Sequence, residues 1–269
     1  MTTLRRETAT ALLDLGFKPR KRLGQSFLVD RGVAARIVDA AVVDGRSVLE
    51  IGPGLGALTD VLAERAERLV LLEVDLALAD RLRARFAGRP NVHVIQGDAL
   101  RVDFAELPLV PHSVVVSNLP YAAGSRILLR LVEQRRCFSE LVLMLQTEVA
   151  ERLVATPGNR EYGLLTVFAA LYGEPRILFR VPPRAFVPRP KVESSVVSIR
   201  LQDEPRIAVR DVERFRAIVR ASFGQRRKTL RNALAALVPE VEIAGADIDP
   251  RRRGETLALA EFARLADRV

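Results

Sequence analysis

One cysteine, Cys137, is the only thiol in 269 residues. It can close no internal disulfide, which fits a reducing, cytoplasmic setting. No uninterrupted apolar stretch reaches the length of a membrane span, so no membrane partner is expected. The first residues, Met1-Thr2-Thr3-Leu4-Arg5-Arg6-Glu7, lack the apolar core of a secretory signal. Histidine occurs only at His93 and His112, and neither lies in a convincing catalytic motif. Both read as structural or surface residues, and no metal is expected. The cysteine pair of a zinc nucleobase deaminase is missing too. There is no internal repeat, low-complexity tract or coiled-coil heptad run.

What the chain has in excess is arginine. Lys and Arg number 42 against 33 Asp and Glu, giving a net charge of +9, and lysine is scarce. Arginine suits bidentate phosphate contacts and stacking on bases, so a polyanionic partner is expected. The charge falls in two clusters. Lys18, Arg20, Lys21 and Arg22 precede the first core segment, and Arg226, Arg227, Lys228 and Arg231 lie in the last third. Two separated basic clusters fit a nucleic-acid track better than a uniformly solvated surface. A hydrophobic fraction of 49% leaves ample material for a core.

After a short helix over Thr8 to Leu15 and the basic loop, a helix is predicted from about Arg31 to Val42. Strand and helix signals then alternate. Apolar strands are predicted at Ser47–Ile51, Leu69–Glu73, Val92–Ile95, Val114–Val116 and Leu141–Leu145, with helices over Leu58–Ala66 and Leu78–Phe86. Continuously apolar strands separated by helices imply a parallel sheet covered on both faces. Arg176–Phe179 and Ser195–Ile199 flank a Pro-rich segment and suggest a terminal antiparallel hairpin. Beyond Asp203 the apolar residues recur at helical spacing, at Phe215, Ile218, Val219, Phe223 and Leu230. The expected fold is α/β, a mostly parallel Rossmann-like sheet over residues 1–202 with a small helical domain over 203–269.

The run Asn118-Leu119-Pro120-Tyr121 closes the fourth strand. An amide, a proline and an aromatic ring at a buried strand end suit holding a flat, amine-bearing ring edge-on to a reactive group. The Asn118 side-chain oxygen and the Leu119 carbonyl before Pro120 can both accept hydrogen bonds from such an amine. Tyr121 could stack on the ring face. Upstream, Glu50-Ile51-Gly52-Pro53-Gly54-Leu55-Gly56 sits where the first strand should turn into a helix, and its glycines allow close backbone approach to a ligand. Gly52, Gly54 and Ala57 also satisfy the looser dinucleotide fingerprint. Pro53, however, removes an N–H that a pyrophosphate cradle would use. Glu50, Glu73 and Asp98 follow three successive strands, with no Lys or Arg in the loop. That set suits a cationic, phosphate-free ligand such as S-adenosylmethionine.

These motifs, with Leu23-Gly24-Gln25-Ser26-Phe27-Leu28, Gln96-Gly97-Asp98-Ala99, Phe186-Val187-Pro188-Arg189-Pro190-Lys191-Val192 and Phe223-Gly224-Gln225-Arg226-Arg227-Lys228, run in order along nearly the whole chain. In that combination the chain closely resembles the bacterial small-subunit rRNA adenine dimethyltransferases of the KsgA type. The resemblance implies dimethylation of two adjacent adenosines near the 3′ end of small-subunit rRNA, with S-adenosyl-L-methionine as donor. It implies a role in small-subunit biogenesis, the pre-small ribosomal subunit as partner, and a monomeric enzyme. Ser26, Leu28, Gly52, Gly54, Glu73, Asp98 and Asn118 would surround the cofactor. Tyr121 and Phe186 would sandwich the target adenine, and Lys21, Arg22, Arg226, Arg227, Lys228 and Arg231 would meet rRNA. The chain departs from the usual family pattern at Ser26, commonly Asn. It also departs at Ala122-Ala123-Gly124-Ser125-Arg126, where Asn-Ile and a small-residue–Pro pair usually follow the Tyr. The nearest rival is a large-subunit rRNA adenine methyltransferase of the macrolide-resistance type. A ribosome-assembly factor that binds immature small subunits, with methylation secondary or absent, and a nicotinamide dehydrogenase are more distant alternatives.

Overall fold

The computed structural model describes Arg6, Thr8, Thr10 and residues 26–269. The first basic cluster, Lys21 and Arg22 included, lies outside the described residues, as does most of the helix expected over Thr8 to Leu15; Thr8 and Thr10 are helical.

The strands are β1 (Phe27–Leu28), β2 (Ser47–Ile51), β3 (Arg68–Glu73), β4 (Val92–Gln96), β5 (Ser113–Asn118), β6 (Phe138–Gln146), β7 (Gly173–Val181), β8 (Phe186–Val187) and β9 (Ser194–Leu201). Seven of them form one sheet in the order β4-β3-β2-β5-β6-β9-β7. Pairing from β4 through β6 is parallel, and β9 runs antiparallel to β6. All five residues of β2 are buried, which is why it shows no period-two alternation, and Glu50 is a buried acid within it. The predicted hairpin strands are present but longer than expected. In β7 buried ends enclose residues that alternate between exposed and half-buried, so its signal in sequence is diluted.

Helix α1 (Arg31–Asp39) leads into β2, and α2 (Thr59–Arg65), α3 (Leu76–Phe86) and α4 (Gly124–Glu133) cross between parallel strands. Two of them start on aspartates that accept backbone N–H groups. Asp30 takes the Val33 N–H at 3.1 Å, and Asp75 takes those of Ala77 and Leu78. The order places β2 and β5 side by side, with the chain leaving β2 towards β3 and returning on the other side at β5. The carboxyl ends of β2 and β5 therefore flank a topological switch point, where open α/β sheets bind ligands. Glu50 and Asn118 stand at those two ends.

The chain divides into two units. One is Met1–Ala150 with Arg176–Leu201, and the other is Glu151–Pro175 with Gln202–Val269. The division expected after residue 202 lacks the first segment of the second unit. That segment holds α6 (Leu164–Tyr172), which follows α5 (Thr147–Leu153). Its aromatic partners lie some sixty residues downstream: the Tyr162 ring meets Phe223 edge-on at 5.9 Å, and its hydroxyl donates to the Leu257 carbonyl. No local pattern announces such a contact. The rest of the second unit is α7 (Val212–Gly224), α8 (Leu230–Ala233), α9 (Glu240–Gly245) and α10 (Leu259–Arg268). Phe215, Ile218, Val219 and Leu230 are buried in it, as their helical spacing implies.

Candidate active site

A cavity of about 260 Å³ lies at the carboxyl ends of β2, β3 and β5. Its floor is the loop after β2, where Gly52, Gly54 and Gly56 have φ of 66°, 59° and 89°. Only glycine adopts this left-handed region without strain. A Cβ on Gly54 would also come within 3.1 Å of the Phe27 ring, so the loop backbone and that ring are in direct contact.

Each acid has a defined hold. Glu73, buried at the end of β3, accepts the Gly54 N–H through Oε2 and the Asp75 N–H through Oε1, both at 3.0 Å. Burial raises its pKa, and those N–H donors oppose the shift. Glu50 is 2% exposed and accepts the Thr59 hydroxyl at 2.7 Å. Burial pushes its pKa up to about 8; the Thr59 bond opposes this, and nearby Asp60 and Glu73 add to it. Asp98 is more open, taking the Leu100 N–H at 2.9 Å and facing Arg101 at 3.8 Å. No Lys, Arg or His lines the cavity among the described residues.

Asn118 also lines the cavity. Its side-chain amide has no hydrogen-bond partner among the described residues. Neighbouring Ser117 is tied to the Ile51 carbonyl, which fixes the strand end. Leu119, Pro120 and Tyr121 complete the wall. The Tyr121 hydroxyl is 2.6 Å from the Ser194 Oγ, so its ring is anchored from β9, and burial raises the phenol pKa. Ser194 is a support that sequence reasoning missed, because nothing local links it to the quartet. Glu50 lines the cavity with the other two acids, and Phe27 and Thr8, which the sequence had not singled out as site residues, line it too.

Ser26 and Leu28 line the cavity. The Ser26 hydroxyl donates to the Pro188 carbonyl at 2.7 Å, so its donor is spent within the protein. Phe186 departs from expectation. It is 1% exposed, belongs to the core cluster that includes Leu28, Val116 and Met144, and does not line the cavity. The cause is its place in the two-stranded β1–β8 ladder. There it sits opposite Leu28, and of that pair only Leu28 reaches the cavity. The sandwich of Tyr121 and Phe186 is therefore not formed in this arrangement. His93 and His112 also lie away from the cavity, His93 beside Arg68 at 3.3 Å.

In the second unit the basic run is partly committed. Arg226 pairs with Glu255 at 2.9 Å and donates to the Arg160 carbonyl, while Arg231 faces Glu240 at 3.7 Å. Arg227 and Lys228 are exposed and have no acidic partner among the described residues. Backbone bonds from Leu230 to the Arg252 carbonyl and from Arg231 to the Pro250 carbonyl bring a second basic stretch alongside. That stretch adds exposed Arg253, which the sequence reading passed over.

The geometry has close counterparts among known proteins. The family model described as Ribosomal RNA adenine dimethylase matches residues 16–269. "Ribosomal RNA small subunit methyltransferase A" of Moorella thermoacetica is 44% identical, covering 96% of this chain and 95% of that protein. The protein of the same name from Syntrophotalea carbinolica is 45% identical over 95% of this chain and 98% of its own. Among solved structures, a dimethyladenosine transferase from Plasmodium falciparum aligns with a TM-score of 0.74 and 25% identity, covering 89% of this chain and 95% of that one. The 23S rRNA methyltransferase ErmE aligns with a TM-score of 0.68 and 28% identity, covering 90% and 98%. Matched along almost its whole length, with the Gly52 loop and the Asn118–Tyr121 quartet meeting in one cavity, this chain belongs to the ribosomal RNA adenine dimethylase family.

Proposed function

We propose that this protein transfers methyl groups from S-adenosylmethionine to the exocyclic amines of two adjacent adenosines near the 3′ end of small-subunit rRNA, each twice, during small-subunit biogenesis. The observation that carries the reading is the Asn118 amide, without a partner among the described residues, on a cavity that those residues line with three carboxylates and no basic side chain. Such a lining suits a cation without phosphate. Glu73 keeps lone pairs on both oxygens for ribose hydroxyls after holding Gly54 and Asp75. Asp98, whose Oδ2 lies 3.8 Å from Arg101, keeps lone pairs that can accept an adenine amine. The glycine loop and Leu28 supply a close-fitting wall, so the residues fit S-adenosylmethionine, whose sulfonium provides the transferable methyl.

The rest of the chemistry belongs to the chain. The target amine is a poor nucleophile because its lone pair is conjugated into the ring. Asn118 Oδ1 and the Leu119 carbonyl, accepting its two N–H groups, turn that lone pair out of the ring plane. Tyr121, held by Ser194, offers a face for the base. The protonated product amine is acidic enough to lose its proton to water, so no histidine is needed at the cavity. Rate acceleration comes from position and from hydrogen bonds that favour the pyramidal amine.

The rRNA would be gripped by the second unit's basic face, by a monomer acting in the cytoplasm on pre-small subunits. Among the described residues no helix is long and apolar enough to cross a membrane. Changing Arg227, Lys228 and Arg253 to Gln together is expected to weaken binding to small-subunit particles. It should also flatten the dependence of log K on log salt by roughly two to three, about one unit per lost phosphate contact. An unchanged slope would mean these side chains are only solvated. The activity itself is tested by offering labelled S-adenosylmethionine with separated, unmodified ribosomal subunits and mapping the label by mass spectrometry. Label at two adjacent adenosines of the small subunit is expected. Label confined to the large subunit would establish the ErmE-like reading instead, and binding of small subunits without label would leave an assembly factor.

A further inference from the structure

The loop leading into α4 departs from the usual family pattern, and the reaction above gives it no role. We propose that its Arg126, together with Arg189 and Lys191, forms a cationic rim around the cavity mouth that holds the RNA phosphates flanking the adenosine in the site. This rests on reading the cavity as an adenine methylation site.

Placement comes first. Ala122, Ala123 and Ile127 line the cavity, and Arg126, exposed, directly precedes Ile127. On the other side, the loop from Pro188 to Glu193 is fastened to the cavity wall at both ends. The Pro188 carbonyl accepts the Ser26 hydroxyl, and Ser194, the next residue after the loop, meets Tyr121. Arg189 and Lys191 are exposed between those two anchors.

Partnership comes second. Several other cations of this unit are engaged within the protein, Arg101 with Asp98, Arg85 with Asp60 and the Leu55 carbonyl, and Arg180 with Glu193 at 3.9 Å, whereas Arg81 and Arg89 have no side-chain partner among the described residues. Arg126, Arg189 and Lys191 have no such partner among the described residues. Arg126 is also placed against the electrostatics of its own helix. It lies in the first turn of α4, at the positive end of the helix dipole, and the preceding Ala123 provides no side-chain cap. The fold gains nothing from a cation there, whereas an external anion does.

Charge segregation comes third. The cavity interior carries Asp98 and the buried Glu73 and Glu50, and no cation among the described residues to hold a phosphate, while Arg126, Arg189 and Lys191 are exposed on the segments beside it. A nucleotide entering with its base inward and its phosphates outward satisfies both regions. In protein–nucleic acid contacts phosphate bonds set register, and here they would fix which base faces Asn118.

The test uses the full-length protein and unmodified small ribosomal subunits. Arg126→Gln alone and Arg126→Gln/Arg189→Gln/Lys191→Gln together are compared with wild type at several KCl concentrations. The triple variant is expected to raise KM for the subunit on the order of tenfold, and to lower the slope of log KM against log[KCl] by about two, at roughly 0.7 per single-strand contact. kcat and S-adenosylmethionine affinity by calorimetry should hold, and Arg126→Lys should retain most of the wild-type KM. If KM and its salt slope are unchanged in variants that bind the cofactor normally, the rim is wrong. If the triple variant loses cofactor binding, the Arg126→Gln and Arg126→Lys pair decides, because equal KM values for the two would refute a charge contact. A wild-type protein that binds S-adenosylmethionine but methylates no adenine would overturn the underlying function rather than the rim.

Discussion

Replacing Asn118 with Ala is expected to lower the rate of methyl transfer by at least about 10²- to 10³-fold, the range for removing one preorganised hydrogen-bonding group from a reacting centre. The reason is the amide's isolation. It lines the cavity with no protein partner among the described residues, so its hydrogen-bonding capacity is held for what enters. Removing it leaves no buried group newly unsatisfied, and the melting temperature should move little. Cofactor affinity should fall by no more than about tenfold, the worth of a single hydrogen bond. Asn118→Asp keeps an acceptor oxygen and should retain more turnover than Asn118→Ala. The measurement is single-turnover methylation of small subunits beside calorimetric S-adenosylmethionine binding. Near-normal turnover with Asn118→Ala would sink the assignment, since the Leu119 carbonyl alone would then suffice to orient the amine.

Legibility in the sequence followed the range of the interactions. Strands such as β2 and β3 were readable because burial on both sides makes them mostly apolar without period-two alternation, and β2 matched its expected bounds. The cavity acids and the quartet were readable because each sits at a strand end, marked by a change from apolar to polar. Supports that act across the fold were not readable. Ser194 meets Tyr121 from 73 residues away, and Ser26 meets Pro188 from 162 away. Neither pairing leaves a periodic trace. The burial of Phe186 in the core cluster was not readable for a related reason: a two-residue strand carries no alternation from which to tell which side its ring takes. The helical segment of 151–175 was assigned with its sequence neighbours, whereas its packing partners lie beyond Gln202.

Glu50→Gln is expected to stabilise the ligand-free protein at neutral and alkaline pH while weakening its hold on a cationic cofactor. Glu50 is almost wholly buried, its one side-chain hydrogen-bond donor among the described residues is the Thr59 hydroxyl, and burial lifts its pKa to about 8. The folded value stands above the ordinary value of 4.5 that the unfolded chain would show. Below about pH 4.5 both states hold the proton, and the group costs nothing. As pH rises towards 8 the unfolded chain ionises while the native carboxyl does not. Native stability therefore falls, by up to about 3 kcal/mol at pH 7, and the loss is complete above the folded pKa. Gln keeps the shape and an acceptor for Thr59 but never ionises. Its variant should match wild type near pH 4.5 and melt several degrees higher at pH 7 to 8, at roughly 2–4 °C per kcal/mol for a chain of this size class. Function sets the opposing demand. A cation in the cavity favours the ionised wall, so S-adenosylmethionine binding to wild type at pH 7 should release protons, seen as a dependence of calorimetric heat on buffer ionisation enthalpy. With Gln at position 50 that release should shrink and affinity for the sulfonium should fall, while affinity for the neutral thioether product changes less. A melting-temperature difference independent of pH would show that Glu50 is already ionised in the native state, and that the cavity reaches its charge balance without a proton on this wall.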